Sequence, residues 1–203
     1  LTDTNLLLTI TIVVFFVMYI GAMLFLGEGF LKPQTFCNIL NANAGLIIVS
    51  VGMSIVMITG GIDISVGGVV GLVTMCCAVN LDYQGGNIFT SFLLALGIGL
   101  AFGLVQGLLI AYLDVQPFIV TLAGMFFARG LTTIVHVNPF NVAHPGFVAL
   151  KDTRIKLPMG SVNRVGTFVP AYIQIGVVVA ILVVILAFCA LRWTKTGRNF
   201  YAV

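Results

Sequence analysis

One carboxylate set among glycines is the most chemically pointed feature of this sequence. The stretch Gly60-Gly61-Ile62-Asp63-Ile64-Ser65-Val66-Gly67-Gly68 places Asp63 between two long apolar runs. A charge in such surroundings is costly, and by default it marks a functional position. Two roles are open to it. Asp63 or Ser65 can accept backbone N–H bonds at the start of the following helix, or the pair can line a polar pathway where a helix is interrupted. One residue can do both.

A second group lies in Phe118-Ile119-Val120-Thr121-Leu122-Ala123-Gly124-Met125-Phe126-Phe127-Ala128-Arg129-Gly130. Thr121 brings a hydroxyl into an otherwise oily run, and Phe126 with Phe127 either offers an aromatic wall to a ring-shaped solute or, as aromatics in apolar helices more often do, meets lipid or other helices. Arg129 is the only cation within an apolar run, the first of its last seven residues. It either snorkels to the near membrane surface or pairs inside a pathway. We group Asp63, Ser65, Thr121, Phe126 and Arg129 as candidate pathway residues.

Catalysis finds no comparable constellation. His136 and His144 have no third ligand at a metal-binding spacing, and Cys37, Cys76, Cys77 and Cys189 show neither zinc nor redox spacing. No Ser-His-Asp set, paired carboxylates or G-x-x-x-x-G-K-[ST] loop is present, so the chain reads as a non-enzyme with no cofactor of its own.

The elements that carry these residues follow from composition. Hydrophobic residues make up 60% and charged residues 7% of 203 positions, against roughly a quarter charged in soluble domains. Charge is also clustered, leaving uncharged runs such as Thr4 to Gly27, Tyr83 to Leu113 and Gly166 to Leu191. In hydrocarbon every backbone polar group must be paired within its own segment, so these runs are helices. We expect an all-α, polytopic transmembrane bundle of about six segments: 6–26, 39–59, 65–80, 88–112, 118–135 and 171–191. The third is short and follows Gly60-Gly61, as a half-helix would. The first lacks the basic start and cleavage site of a secretory signal, so it reads as a membrane helix.

Residues 1–203 form one membrane domain on this reading. The connection 136–170 holds Pro139, Pro145, Pro158, Pro170 and five charged residues, and it belongs in or near water. Ala95, Gly99, Gly103 and Gly107 recur every four residues, an arrangement that lets helices approach closely. A net charge of +3 gives no reason to invoke nucleic acid, because apart from Arg129 the cations sit in connections and in the last twelve positions. Six full crossings would put three cations, Arg192, Lys195 and Arg198, on one side. They would put five, Lys32, Lys151, Arg154, Lys156 and Arg164, on the other. The positive-inside rule then assigns the second side to the cytoplasm.

Four stretches resemble the permease subunits of bacterial monosaccharide ABC importers, the family handling ribose, xylose, galactose and galactofuranose. They are Gly60 to Gly68, Pro117 to Gly130, Asn141-Val142-Ala143-His144-Pro145, and Thr194 to Ala202. The second and third look most like the galactofuranose-type permeases. The resemblance implies an inner-membrane subunit that works with a second permease copy or paralogue, ATP-binding subunits that hold ATP and Mg, and a periplasmic sugar-binding protein. It also implies that 136–170 faces the periplasm and that 192–203 is a cytoplasmic coupling segment, with Thr196, Gly197, Arg198 and Tyr201 docking on the ATPase. This orientation opposes the charge count. Family members continue beyond the Tyr-Ala element, so the resemblance implies a longer chain than the one ending at Val203. Two other classes compete: an ion-coupled secondary transporter using Asp63, and a structural membrane-assembly subunit.

Overall fold

The computed structural model describes residues 3–27, 30, 32–138, 140–162 and 167–200, leaving the side chains of Asp3, Thr4, Leu26, Thr196, Arg198 and Asn199 aside. Its elements run α1 (Asp3–Leu26), α2 (Pro33–Ile58), α3 (Val66–Asp82), α4 (Ile88–Leu113), α5 (Pro117–Val135), α6 (Pro145–Asp152), β1 (Arg154–Val162), β2 (Phe168–Gln174), α7 (Ile175–Trp193) and α8 (Lys195–Phe200). Among the described residues, five helices are long and apolar enough to cross a membrane: Asn5–Phe25, Pro33–Ile58, Ile88–Leu113, Pro117–Val135 and Ile175–Trp193. The sixth segment, α3, has 17 residues and would span about 26 Å at the usual helical rise, short of a ~30 Å hydrocarbon core. The expected bundle of about six segments, one of them short, is therefore what the chain forms. Large apolar side chains along α1, such as Leu24 and Phe25, are 79% and 93% exposed. Water cannot be their solvent.

The chain divides into two compact units, Leu1–Ala44 with Arg154–Val178, and Gly45–Thr153 with Val179–Val203. Both α2 and α7 contribute residues to each.

In the first unit the connection that reads as proline-rich loop contains an antiparallel hairpin. Strands β1 and β2 pair from Arg154↔Gln174 to Val162↔Phe168, with an irregularity between Lys156 and Gly160. Strand β2 runs directly into α7, so the last span begins at Ile175 rather than at Ala171. Asn41 of α2 grips this strand from the side. Its Nδ2 donates to the Tyr172 carbonyl at 3.3 Å and its Oδ1 accepts the Gln174 N–H at 2.8 Å. Gln34, about two helical turns earlier, accepts the Tyr172 N–H at 3.0 Å. These polar partners satisfy the edge of β2. They explain why α2 starts at Pro33, well before its apolar run.

The second unit is built on α3 packed against α4 and α5. At the α3–α5 crossing there is no room for side chains. A Cβ on Gly68 would lie 2.8 Å from the Met125 carbonyl oxygen and 3.4 Å from the Ala128 Cβ, and Ala128 is fully buried. Small residues give membrane helices their van der Waals contact in this way. At the far end of α3, Asn80 Nδ2 donates to Thr90 Oγ1 at 2.9 Å and Ser91 Oγ at 3.0 Å. Asn87 and Thr90 form a reciprocal capping box at the start of α4. The carboxylate of Asp82 accepts the backbone N–H groups of Ala143 and His144, fixing the entry to α6. Beside it Tyr83, His136 and Phe140 form a ring cluster with centroids 4.9–5.5 Å apart.

Candidate functional site

The interruption between α2 and α3 creates a polar chamber. Helix α2 ends where Gly60 turns into the left-handed region, at φ 74°, a conformation that other residues resist. The N–H groups of Gly60 and Gly61 close the end by donating to the Met57 and Val56 carbonyls, each at 3.0 Å. The chain then runs without helical bonds to Ser65. Asp63 organises that stretch: its Oδ1 accepts the Ser65 N–H at 2.8 Å and the Ser65 hydroxyl at 2.6 Å, a tight Asx-type turn. Ser65 stands at the N-cap of α3 but its own side chain makes no capping bond. Of the two roles open to this pair, the carboxylate shapes the turn and also borders a cavity.

Helix α5 closes the opposite wall. Thr121 is 3% exposed. Its hydroxyl lies 2.9 Å from the Pro117 carbonyl and 3.3 Å from that of Ile62, bridging α5 to the unwound stretch. Helix α4 supplies Gln106, which the sequence reading passed over. Its Oε1 lies 3.3 Å from Ser65 Oγ. The available signal was an amide alone in the middle of a helix otherwise made of apolar and small residues.

Between these walls lies a cavity of about 390 Å³ bordered by Thr59, Asp63, Gln106 and Thr121. A smaller one of about 180 Å³ adjoins it at Asp63 and Ser65. The candidates Asp63, Ser65 and Thr121 are thus brought together. Phe126 and Arg129 are exposed on α5 and border neither cavity. Phe127 instead borders an apolar cavity of about 310 Å³ with Phe102 and Gln106.

On the α4 stripe, Ala95 is half-buried, and nothing lies within 4 Å of a Cβ built on Gly99, Gly103 or Gly107. Gly103 and Gly107 border the larger cavity, and Gly99 and Gly103 the smaller. In the tail, Thr194 Oγ1 donates to the Ala190 carbonyl at 2.6 Å and accepts the Gly197 N–H at 3.0 Å, tying α8 to the end of α7. A Cβ at Gly197 would collide with the Ala190 and Leu191 carbonyls. Tyr201 and the side chains of Thr196 and Arg198 lie outside the described residues. No cluster of three or more His, Cys, Asp or Glu that could hold a metal occurs among the described residues.

Residues 35–203 match the family model described as branched-chain amino acid transport system / permease component. The chain belongs to this family of transport permeases. Its five long apolar helices, among the described residues, make the chain a multi-pass membrane protein of this family. The permease is 38% identical over 200 residues to the inner membrane ABC transporter permease protein YjfF of Escherichia coli K12, covering 98% of this chain and 57% of that one. It is 32% identical over 203 residues to the fructose import permease protein FruG of Bifidobacterium longum, covering 99% of this chain and 58% of that one. The galactofuranose transporter permease protein YtfT of E. coli K12 is 38% identical over 98 residues, covering 48% of this chain and 28% of that one. The permease sequence therefore spans a little under three fifths of the length of the first two relatives. No solved structure gives a significant match.

Proposed function

We propose that the chain is the translocating part of an ATP-driven monosaccharide importer of the bacterial inner membrane. The observation that carries this reading is similarity across 98% and 99% of its residues to an ABC transporter permease and a fructose import permease. The family description mentions amino acids, but these relatives and the galactofuranose permease favour a sugar. The galactofuranose-type resemblance covers half of the chain, so the substrate is best stated as a monosaccharide, with furanose sugars among the first to test.

On this reading the chamber beside Asp63 is the polar station of the pathway. Acceptors at Asp63 and Thr121 and the unwound backbone of residues 61–64 offer exchangeable hydrogen bonds to hydroxyl groups in an otherwise apolar wall. A weak site suffices, because a periplasmic sugar-binding protein supplies capture and selectivity. ATP and Mg are held by partner ATP-binding subunits, and a second permease, identical or paralogous, completes the assembly. ATP binding shifts the bundle between outward- and inward-open states through the coupling segment 192–203, while 136–170 faces the periplasm. Thr196, Gly197, Arg198 and Tyr201 serve the ATPase contact, and Phe126 and Arg129 belong to the wall completed by the rest of the assembly.

Ion coupling through Asp63 has less support. One carboxylate oxygen already holds both the N–H and the hydroxyl of Ser65, which makes it a structural acceptor. Reconstitution of the full-length permease with its ATPase and binding protein tests the reading. ATP-dependent uptake of radiolabelled fructose, galactose or galactofuranose is the expected result. Uptake driven by an ion gradient without ATP overturns it.

A further inference from the structure

Gln106 borders all three cavities around the helix break: the chamber at Asp63, the smaller cavity at Ser65, and the apolar cavity between Phe102 and Phe127. Its hydrogen bonding is unbalanced. The single proton of Ser65 Oγ lies between Asp63 Oδ1 at 2.6 Å and Gln106 Oε1 at 3.3 Å, and a carboxylate takes such a proton in preference to an amide oxygen. On its other side the Gln106 Nε2 group is inaccessible and has no hydrogen-bond partner. It sits against Gly124, where an added Cβ would collide with it. A half-turn of the amide lets the nitrogen donate to Ser65 Oγ but leaves the oxygen beside Gly124. Neither orientation uses the group's full capacity, and a buried amide left this way is costly.

We propose that Gln106 reads the hydroxyl groups of the passing solute. Its amide leaves the Ser65–Gly124 slot and swings into the chamber beside Asp63, donating to and accepting from a polyhydroxylated solute. The inference rests on the monosaccharide reading above and adds the residue that discriminates. The chemistry fits in two respects. Asp63 offers only acceptors, whereas the amide is both donor and acceptor, as each sugar hydroxyl is. Room for the swing exists because Gly103 and Gly107, which flank Gln106 on α4, have nothing within 4 Å of a built Cβ. The chamber's 390 Å³ also lies within the ~300–1,000 Å³ range of small-molecule sites.

The test uses the full-length permease with its ATPase and binding protein in proteoliposomes, with radiolabelled D-fructose, D-galactose and D-ribose as probes. Gln106→Leu should lower the maximal uptake rate about tenfold while leaving binding-protein-stimulated ATP hydrolysis within about twofold, so that sugar moved per ATP falls. Gln106→Glu keeps the shape and serves where the leucine variant fails to assemble. It should change the ratio of uptake rates between two of the sugars by about fivefold or more. Wild-type rates and ratios in both variants overturn the inference and leave the sugar reading intact. A parallel fall of uptake, ATP hydrolysis and thermal stability in both variants makes Gln106 a packing residue and also overturns it. No ATP-dependent uptake of any sugar by the wild type removes the sugar reading and this inference together.

Discussion

Asp82 accepts the backbone N–H of His144 at 2.9 Å through one carboxylate oxygen, and that of Ala143 at 2.8 Å through the other. The last residue of α3 thereby sets where α6 begins, across 61 and 62 positions of sequence. Hydrogen bonds to a charged acceptor contribute about 1.5–3 kcal/mol each, and the start of a helix favours a negative neighbour.

Removing that carboxylate should free the 136–152 segment without dismantling the helices. Asp82→Ala is expected to cost about 2 kcal/mol and to raise hydrogen exchange at residues 143–147 by an order of magnitude or more. Exchange in α5 should not change. Equal protection of residues 143–147 in wild type and variant would show that the clamp is not what holds them.

Two neighbouring glycines give a controlled comparison of packing. Gly68→Ala drives a methyl into the Met125 backbone and should cost about 1–3 kcal/mol, as overpacking does. At Gly67 nothing lies within 4 Å of a built Cβ, so Gly67→Ala should be neutral or mildly stabilising. Thermal unfolding of the detergent-solubilised protein, followed by size exclusion, measures both. A tolerant Gly68 would place the α3–α5 crossing further apart than described.

Charge and shape separate at Asp63. Asp63→Asn keeps an acceptor for Ser65 and should retain at least about half of ATP-driven uptake, with no change in its response to proton or sodium gradients. Asp63→Leu removes the turn and should reduce uptake about tenfold or more. Loss of ion dependence in the asparagine variant would instead favour the ion-coupled alternative.

The α7–α8 corner supplies the last prediction. Thr194→Val removes both hydrogen bonds that Thr194 makes with Ala190 and Gly197, whereas Thr194→Ser keeps them. The valine variant should lose most stimulation of ATP hydrolysis by the loaded binding protein while basal hydrolysis persists, and serine should restore it. Arg198→Glu should behave like valine, with folding intact. Full stimulation in both Thr194→Val and Arg198→Glu would remove this corner from the coupling route.

Much of this architecture was legible because bilayers punish charge and unpaired backbone so heavily. Runs free of charge marked the spans, and Gly60-Gly61 marked the short one. The hairpin was not legible. Pro158 and Gly160 in β1 read as loop, and the apolar β2 blends into α7 with no polar residue between them except Gln174. At the site, Asp63, Ser65 and Thr121 stood out as polar groups in oily runs and do converge. Gln106 is less legible, a single amide among glycines that recur every four residues along α4. Its importance comes from two distant neighbours, Ser65 and Gly124, that periodicity along α4 does not reveal. The coupling role proposed for Thr196, Gly197, Arg198 and Tyr201 rests on resemblance alone, since a basic, aromatic tail is equally an interfacial anchor.

Gly99, Gly103 and Gly107 leave bare backbone where the two polar cavities meet α4. With nothing facing those positions closely, alanine can be introduced at each without collision and with a gain in helix propensity. The three sites therefore act as a graded set of shims. On the proposed reading, filling them one methyl at a time would turn the chamber into a caliper for the largest solute that passes.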